Sequence, residues 1–201
     1  MNHEEFYYTV EQTGAAEYKD RGSRFIGIAY PVNDAADVKK YLQEVKKEHP
    51  KATHHCFAWR LGTDKNQFRV SDDGEPSGTA GRPILGQIDS KGVTNILVVV
   101  VRYFGGTLLG APGLINAYKS AAALCLQVVP IVQKNKTRAY RLRFDYTQMN
   151  EIMRVVKQVR AEITAQEQAL FSSININVSL AEEQRFLVQL ENLRGVEVEA
   201  L

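Results

Sequence analysis

Six consecutive apolar residues, Ile96 to Val101, lack the polar alternation of a strand with one wet face, so the pattern predicts a central strand covered on both sides. Arg102, Tyr103 and Phe104 lead out of it into a loop punctuated by Gly105, Gly106 and Gly110. Pro112 and Gly113 then open a predicted helix in which Leu114, Ile115, Tyr118, Ala121, Ala122 and Cys125 recur at helical spacing. Proline stands in its first turn, where a missing N–H costs least.

Upstream, Phe6 to Val10 and Ser23 to Val32 read as strands, and the charged stretch Gly14 to Gly22 between them reads as an exposed connection. Asp34 to Glu48 predicts an amphipathic helix: Val38, Tyr41, Leu42 and Val45 share a face, acids come first and lysines last, as the helix dipole favours. His54 to Leu61 alternates, with His55, Phe57, Trp59 and Leu61 read as the core face and His54, Cys56, Ala58 and Arg60 as the other. Gln67 to Ser71 is its expected hairpin partner. Asp72 to Pro83 holds too much Gly and Pro for a strand or long helix and is read as a shaped loop before a short helix with Ile84, Leu85 and Ile88 on one face.

Pro130 ends the long helix, and Gln133 to Lys136 is read as a polar linker between two domains, 1–132 and 137–201. The second domain predicts a strand (Thr137 to Tyr146), a helix (Met149, Ile152, Met153, Val156, Val159), a hairpin of Glu162 to Leu170 with Ser172 to Leu180, a helix (Phe186, Leu187, Leu190, Leu193) and a last strand, Val196 to Leu201. Asp145 or Thr147 is expected to cap the first helix, and Ser179 with Glu182 has capping-box spacing ahead of the second. Gly195 is its expected C-cap. The order βαββαβ is that of a ferredoxin-like sandwich, and the fold class is α+β.

Composition narrows the function classes. With 44% hydrophobic residues in 201, the chain buries a real core, and a net charge of +2 permits an anionic partner without demanding one. Its two cysteines form no C-x-x-C spacing, so neither a disulfide framework nor a zinc site is expected. No basic-then-apolar leader opens the sequence, and no apolar run approaches the roughly 20 residues that span a bilayer. The expected localisation is cytoplasmic, with no membrane partner and no cofactor.

Several residues carry possible chemistry. Glycines between a strand and a helix suit a phosphate, but Ala111-Pro112 stands where a Walker A loop needs Lys-Ser/Thr, and G-x-G-x-x-G is missing. Arg102, on the same side of its strand as Val98 and Val100, must leave the core or find an acid, and Asp72, Asp73 and Glu75 are the expected partners. The loop Asp72 to Arg82 is therefore expected to pack on the loop Arg102 to Gly106. His54, Arg60, Arg69, Arg82, Arg102 and Lys119, with Tyr103 for stacking, are the residues an anionic polymer would use. Ser77 and Thr79 add hydroxyls. Asp72, Asp73, Glu75, His54 and His55 invite a metal or acid–base reading but have no recognised ligand spacing, and nothing in the sequence supplies a base that activates Cys56, Ser77 or Thr79 as a nucleophile.

These motifs together resemble the Impact/YigZ family: His54 to Arg60, Asp72-Asp73-Gly74-Glu75-Pro76-Ser77-Gly78-Thr79-Ala80-Gly81-Arg82-Pro83, and Val101-Arg102-Tyr103-Phe104-Gly105-Gly106 running on through Leu109-Gly110 to Ala117-Tyr118. Ser23-Arg24-Phe25 resembles its early Ser-x-Phe element. The resemblance implies an N-terminal domain like the second domain of a small-subunit ribosomal protein and a C-terminal domain like the last domain of elongation factor G. Eukaryotic members are linked to translational control, through competition for the activator of an initiation-factor kinase. Two-domain bacterial members look like nucleic-acid or ribosome binders, and the layout here is similar to theirs. Pro112 and Asn116 depart from the family pattern, the first removing a backbone donor and the second a positive charge.

The expected function is a non-catalytic translation-associated factor that binds RNA or a ribosomal surface, with a protein partner in translational control as a further possibility. Anion or nucleic-acid contact is assigned to His54, Arg60, Ser77, Thr79, Arg82, Arg102, Tyr103, Gly105, Gly106 and Lys119, with Asp72, Asp73 and Glu75 orienting the arginines. The alternative is a hydrolase or transferase on a small phosphorylated or acidic substrate, with Asp73 or Glu75 as general base. A protein–protein adaptor is the third class, and an exposed apolar patch would mark it. An enclosed pocket holding acid, hydroxyl and arginine favours the enzyme, and a flat basic face favours RNA.

Overall fold

Ile96–Tyr103 is the middle strand of a five-stranded antiparallel sheet, and every residue from Ile96 to Arg102 is buried. The computed structural model describes residues 5–167 and 171–201. It divides into a unit of Tyr7–Lys134 and a second formed by Asn135–Leu201 with the N-terminal residues to Phe6. In chain order the first unit runs β1 (Phe6–Val10), β2 (Gly14–Asp20), β3 (Ser23–Pro31), α1 (Ala35–Glu48), β4 (His54–Leu61), β5 (Gln67–Ser71), α2 (Gly81–Lys91), β6 (Ile96–Tyr103), α3 (Gly110–Val128) and β7 (Ile131–Asn135). The sheet order is β2-β3-β6-β4-β5, and β1 pairs with β7 in a small separate sheet.

Both faces of the large sheet are covered, which is why β6 needs no polar alternation. Val98 and Val100 join Phe25, Ala29, Cys56 and Ala58 against α2 and α3, through Ile84, Ile88, Ala117, Tyr118, Ala121 and Leu126. Leu97, Val99 and Val101 join Ile28 and Tyr30 against Val38 and Val45 of α1. Asp34 caps α1, its carboxylate accepting from the N–H groups of Ala36 and Asp37 at 2.8 and 2.9 Å.

Three expectations are corrected here. Gly14 to Asp20 is not an exposed connection but an edge strand, β2, paired with β3 over its whole length. Gly14, Ala16 and Tyr18 turn inward with Ala16 and Tyr18 packing on the core, while the intervening charged residues face water. The stretch read as a linker belongs to β7 as far as Asn135. On β4, both faces pack: Cys56 and Ala58, read as the other face, are fully buried under α2 and α3, while of the expected core face Leu61 is buried and Phe57 and Trp59 are half-buried beside α1.

The second unit runs β8 (Thr137–Asp145), a 3-10 turn, α4 (Met149–Gln158), β9 (Glu162–Glu167), β10 (Phe171–Ser179), α5 (Leu180–Glu191) and β11 (Glu197–Ala200). The sheet order is β11-β8-β10-β9, all antiparallel, which is the ferredoxin-like arrangement. Tyr140, Leu142 and Phe144 pack with Ile152, Val156, Ile174, Phe186 and Leu190. Asp145 caps the 3-10 turn through the Thr147 N–H at 2.9 Å. Ser179 precedes α5 without a side-chain capping bond, so the capping box is not formed, and Gly195 lies beyond the Asn192 C-cap. The chain reversal expected before Phe171 lies at residues 168–170, outside the described residues.

Candidate functional site

β6 places an arginine where its neighbours are valines. Arg102 points to the α2/α3 face, is only 5% exposed, and gives Nη1 to Glu75 Oε1 at 2.6 Å. Tyr118 of α3 donates its hydroxyl to the same Oε1 at 2.7 Å. The guanidinium lies between the rings of Phe25 and Phe104, 5.4 and 5.5 Å from their centroids, and its Nε has no hydrogen-bond partner among the described residues. His54, opposite Arg102 on β4, brings Nε2 to 3.8 Å from Glu75 Oε1. Burial, then Cys56 and Glu75, push the Tyr118 hydroxyl far above its ordinary pKa, so it stays a donor.

Glu75 reaches this spot because the loop that carries it is tied down by its own acids. Asp72 Oδ1 accepts from the N–H groups of Ala80 and Gly81 at 3.1 and 2.8 Å, closing the start of α2, and Oδ2 accepts from Gly78 at 2.9 Å. Asp73, in the left-handed region at φ 43°, accepts the His55 backbone N–H at 2.7 Å, and its carbonyl accepts from His54 Nδ1 at 2.8 Å. Of the three acids expected to orient arginines, then, Glu75 alone holds one by a salt bridge. Asp72 and Asp73 hold backbone instead, because each lies beside unsatisfied N–H groups.

The loop after β6 is fixed from the other side. Gly105 donates to Ser23 Oγ at 3.1 Å, and a Cβ there would fall 1.9 Å from the Gly22 carbonyl carbon, so only glycine lets this loop meet the β2–β3 turn. Gly106 is exposed, in the left-handed region at φ 86°. Between the two loops and the start of α3 lies a cavity of about 420 Å³. Arg102, Glu75, His54 and Thr53 line it along with Phe104, Leu108, Leu109 and Leu114, and Gly110 and Ala111 of α3 border it.

The remaining expected contact residues are dispersed. Arg60 lies opposite Ile96, six residues and about 20 Å along the sheet from Arg102. It is committed to Asp89 at 2.6 Å, to the Lys65 carbonyl and to the face of Phe68. Tyr103 points to the α1 face and bonds His49 Nδ1 at 2.8 Å, so it cannot act beside Arg102. Thr79 is buried, its hydroxyl donating to the Pro76 carbonyl at 2.7 Å. Ser77, Arg82 and Lys119 are exposed, and neither cation forms an ion pair among the described residues.

Glu75 Oε1 already accepts from both Arg102 and Tyr118, so that oxygen is committed within the site. Burial pushes the Cys56 thiol up to about 12, away from the thiolate that nucleophilic attack requires. Among the described residues no group of three or more His, Cys, Asp or Glu is placed to hold a metal ion. Sequence reasoning missed Tyr118, which reads as one more apolar helix position. The signal was a tyrosine on a core face, whose hydroxyl needs a buried partner.

Comparison with known proteins matches the sequence that builds this site to a family. The Impact N-terminal domain profile fits residues 21–126. IMPACT family member YigZ of Escherichia coli (strain K12) is 36% identical over 170 residues, 84% of this chain and 83% of that protein. Protein IMPACT of Rattus norvegicus is also 36% identical, over 100 residues that make up 47% of this chain and 31% of its own. A solved structure titled as the crystal structure of an hypothetical protein is 31% identical, with a TM-score of 0.79 across 98% of both chains. No helix among the described residues is long and apolar enough to cross a membrane. Matched by the profile across the loops that build the Arg102–Glu75 site, and by a bacterial relative over most of its length, the chain belongs to the Impact family.

Proposed function

We propose that this chain is a translation-associated regulatory factor that binds RNA or a ribosomal surface and does so without catalysis. Family membership supports the link to translation. The observation that carries the binding mode is that Arg82 on α2 and Lys119 on α3 are exposed and form no salt bridge among the described residues, Arg82 feeling only the longer-range charge of Asp72, on the two helices that pack over the same sheet face. Arg102 cannot serve as a phosphate contact, since Glu75 neutralises it, so its part is to hold the loop from which α2 departs. The mammalian protein's partners do not transfer, because the match to it covers less than half of this chain.

The test is RNA binding and ribosome co-sedimentation at several salt concentrations. Affinity should fall with salt, and Arg82→Ala with Lys119→Ala should weaken binding at least tenfold and reduce the salt slope by about 2. Unchanged affinity and slope would overturn the assignment.

A second reading rests on the cavity. It encloses an acid and an arginine behind apolar walls, which suits a small ligand with an apolar body and one polar group. A hydrolase or transferase with Glu75 as base would lose turnover in Glu75→Gln while still binding its substrate.

A further inference from the structure

The face of the large sheet under α1 is incompletely covered. Between α1 and the β4–β5 edge runs a groove of about 360 Å³ whose apolar surface is Ala35, Val38 and Leu42 from the helix and Phe57 and Trp59 from β4. β5 pairs only with β4, so the groove opens past an edge strand. Its charged residues are all cations: Lys39 and Lys46 on the helix, and Arg69, the cross-strand partner of Trp59. All three are exposed, and none forms an ion pair among the described residues.

The acids of α1 are turned elsewhere. Asp37 accepts from the backbone and side chain of Asn33 at 2.9 and 3.2 Å, and Glu44 and Glu48 act on Tyr30, over β3 on the far side of the helix. The helix therefore presents lysines along one edge and acids along the other, with an apolar slot beside the lysine edge.

We propose that this groove docks an acidic peptide segment of a protein partner, whose bulky apolar side chain enters the slot over Phe57 and Trp59 while its carboxylates meet Lys39, Lys46 and Arg69. Single-stranded RNA would suit the charge but not the slot. A base stacks on an exposed aromatic face, but here Val38 and Leu42 of α1 stand over Phe57 and Trp59 and make half of the slot aliphatic, so a base pushed in between them would bury its polar edge with only Gln43 as an uncharged partner. An aliphatic or aromatic side chain carries no such penalty. The site is separate from the RNA reading, which uses Arg82 and Lys119 on the opposite face.

Trp59 is the only tryptophan of the chain, so its emission reports on the slot directly. The probes are a short synthetic helical peptide of Glu and Leu, the same peptide with Ser for Leu, the same with Lys for Glu, and an oligouridylate. The Glu/Leu peptide should shift Trp59 emission saturably, with the effect falling as salt rises. Binding should weaken at least tenfold in Lys39→Glu with Arg69→Glu, both exposed sites whose reversal leaves the circular dichroism unchanged, and in either control peptide. No saturable shift, a shift that survives the charge reversal, or a shift produced by oligouridylate in place of the peptide would overturn the proposal. RNA binding lost on Arg82→Ala with Lys119→Ala is unaffected by any of these outcomes.

Discussion

A buried arginine is a constraint that propagates. Arg102 needed an anion within reach once its strand was covered on both faces, and Glu75 supplies it at 2.6 Å from a loop otherwise held by backbone hydrogen bonds. Removing the acid alone strands the guanidinium. Glu75→Gln should cost about 3–5 kcal/mol in urea denaturation, whereas Glu75→Gln combined with Arg102→Met should recover most of that loss, because neither charge remains to be desolvated. Asp72 gives a pH signature. Burial pushes its carboxyl up, but the N–H groups of Gly78, Gly81 and Ala80, with the Arg82 charge, outweigh that and hold it below its ordinary 3.8. A carboxyl depressed in the folded state contributes stability that is fully present above the unfolded pKa and is lost as pH falls through the folded one. Stability should therefore decline with acid below about pH 4, and Asp72→Asn should flatten that decline while costing about 1 kcal/mol at neutral pH, read by denaturation at a series of pH values. The Arg102–acid pairing was legible because a charge in an apolar strand has few options. Which acid answers was not, since adjacent carboxylates compete for arginine and for free N–H groups, and loop geometry decides between them.

At the level of elements, the long periodic segments α1, β6 and α3 showed in the sequence because each repeats one instruction over many residues. β2 did not, and its physics explains why. Its inward side chains are Gly14, Ala16 and Tyr18, too small or too polar to register as a hydrophobic face. The reversal from Asp20 to Ser23 uses Arg21 and Gly22, both at positive φ (44° and 81°), a two-residue hairpin turn in which arginine stands where asparagine is the familiar signal. The second buried face of β4 was missed for a related reason. Large side chains suggested the core, yet the tightest packing falls on Cys56 and Ala58, where α2 and α3 leave space only for small ones. Helix docking makes the same demand at Gly27 of β3, where a Cβ would fall 2.4 Å from the Ala121 carbonyl of α3. Gly27→Ala should force α3 away from the sheet and lower stability by about 1–3 kcal/mol, visible as a reduced denaturation midpoint with secondary structure retained.

Over the whole molecule, the two units bury separate cores of different size. The first sandwiches a five-stranded sheet between α1 on one face and α2 with α3 on the other, and the second has helices packed with a four-stranded sheet through a single cluster. A smaller unit hides a smaller fraction of its chain and has less apolar burial to set against its conformational entropy, so Asn135–Leu201 should be the less stable. The lone Trp59 belongs to the first unit, and its emission reports that unit alone, whereas far-ultraviolet circular dichroism reports both. In urea the two signals should not coincide: circular dichroism should lose a first fraction of its amplitude while Trp59 emission is still native, then complete its change along with the tryptophan. A fragment of residues 137–201 should reproduce the early transition by itself, since its cluster from Tyr140 to Leu190 draws on no residue before the fragment begins. Superimposable curves would show instead that the chain unfolds as one cooperative body. The same pair of probes then separates the effects of Glu75→Gln and Gly27→Ala, which should move the tryptophan transition and leave the early one where it was.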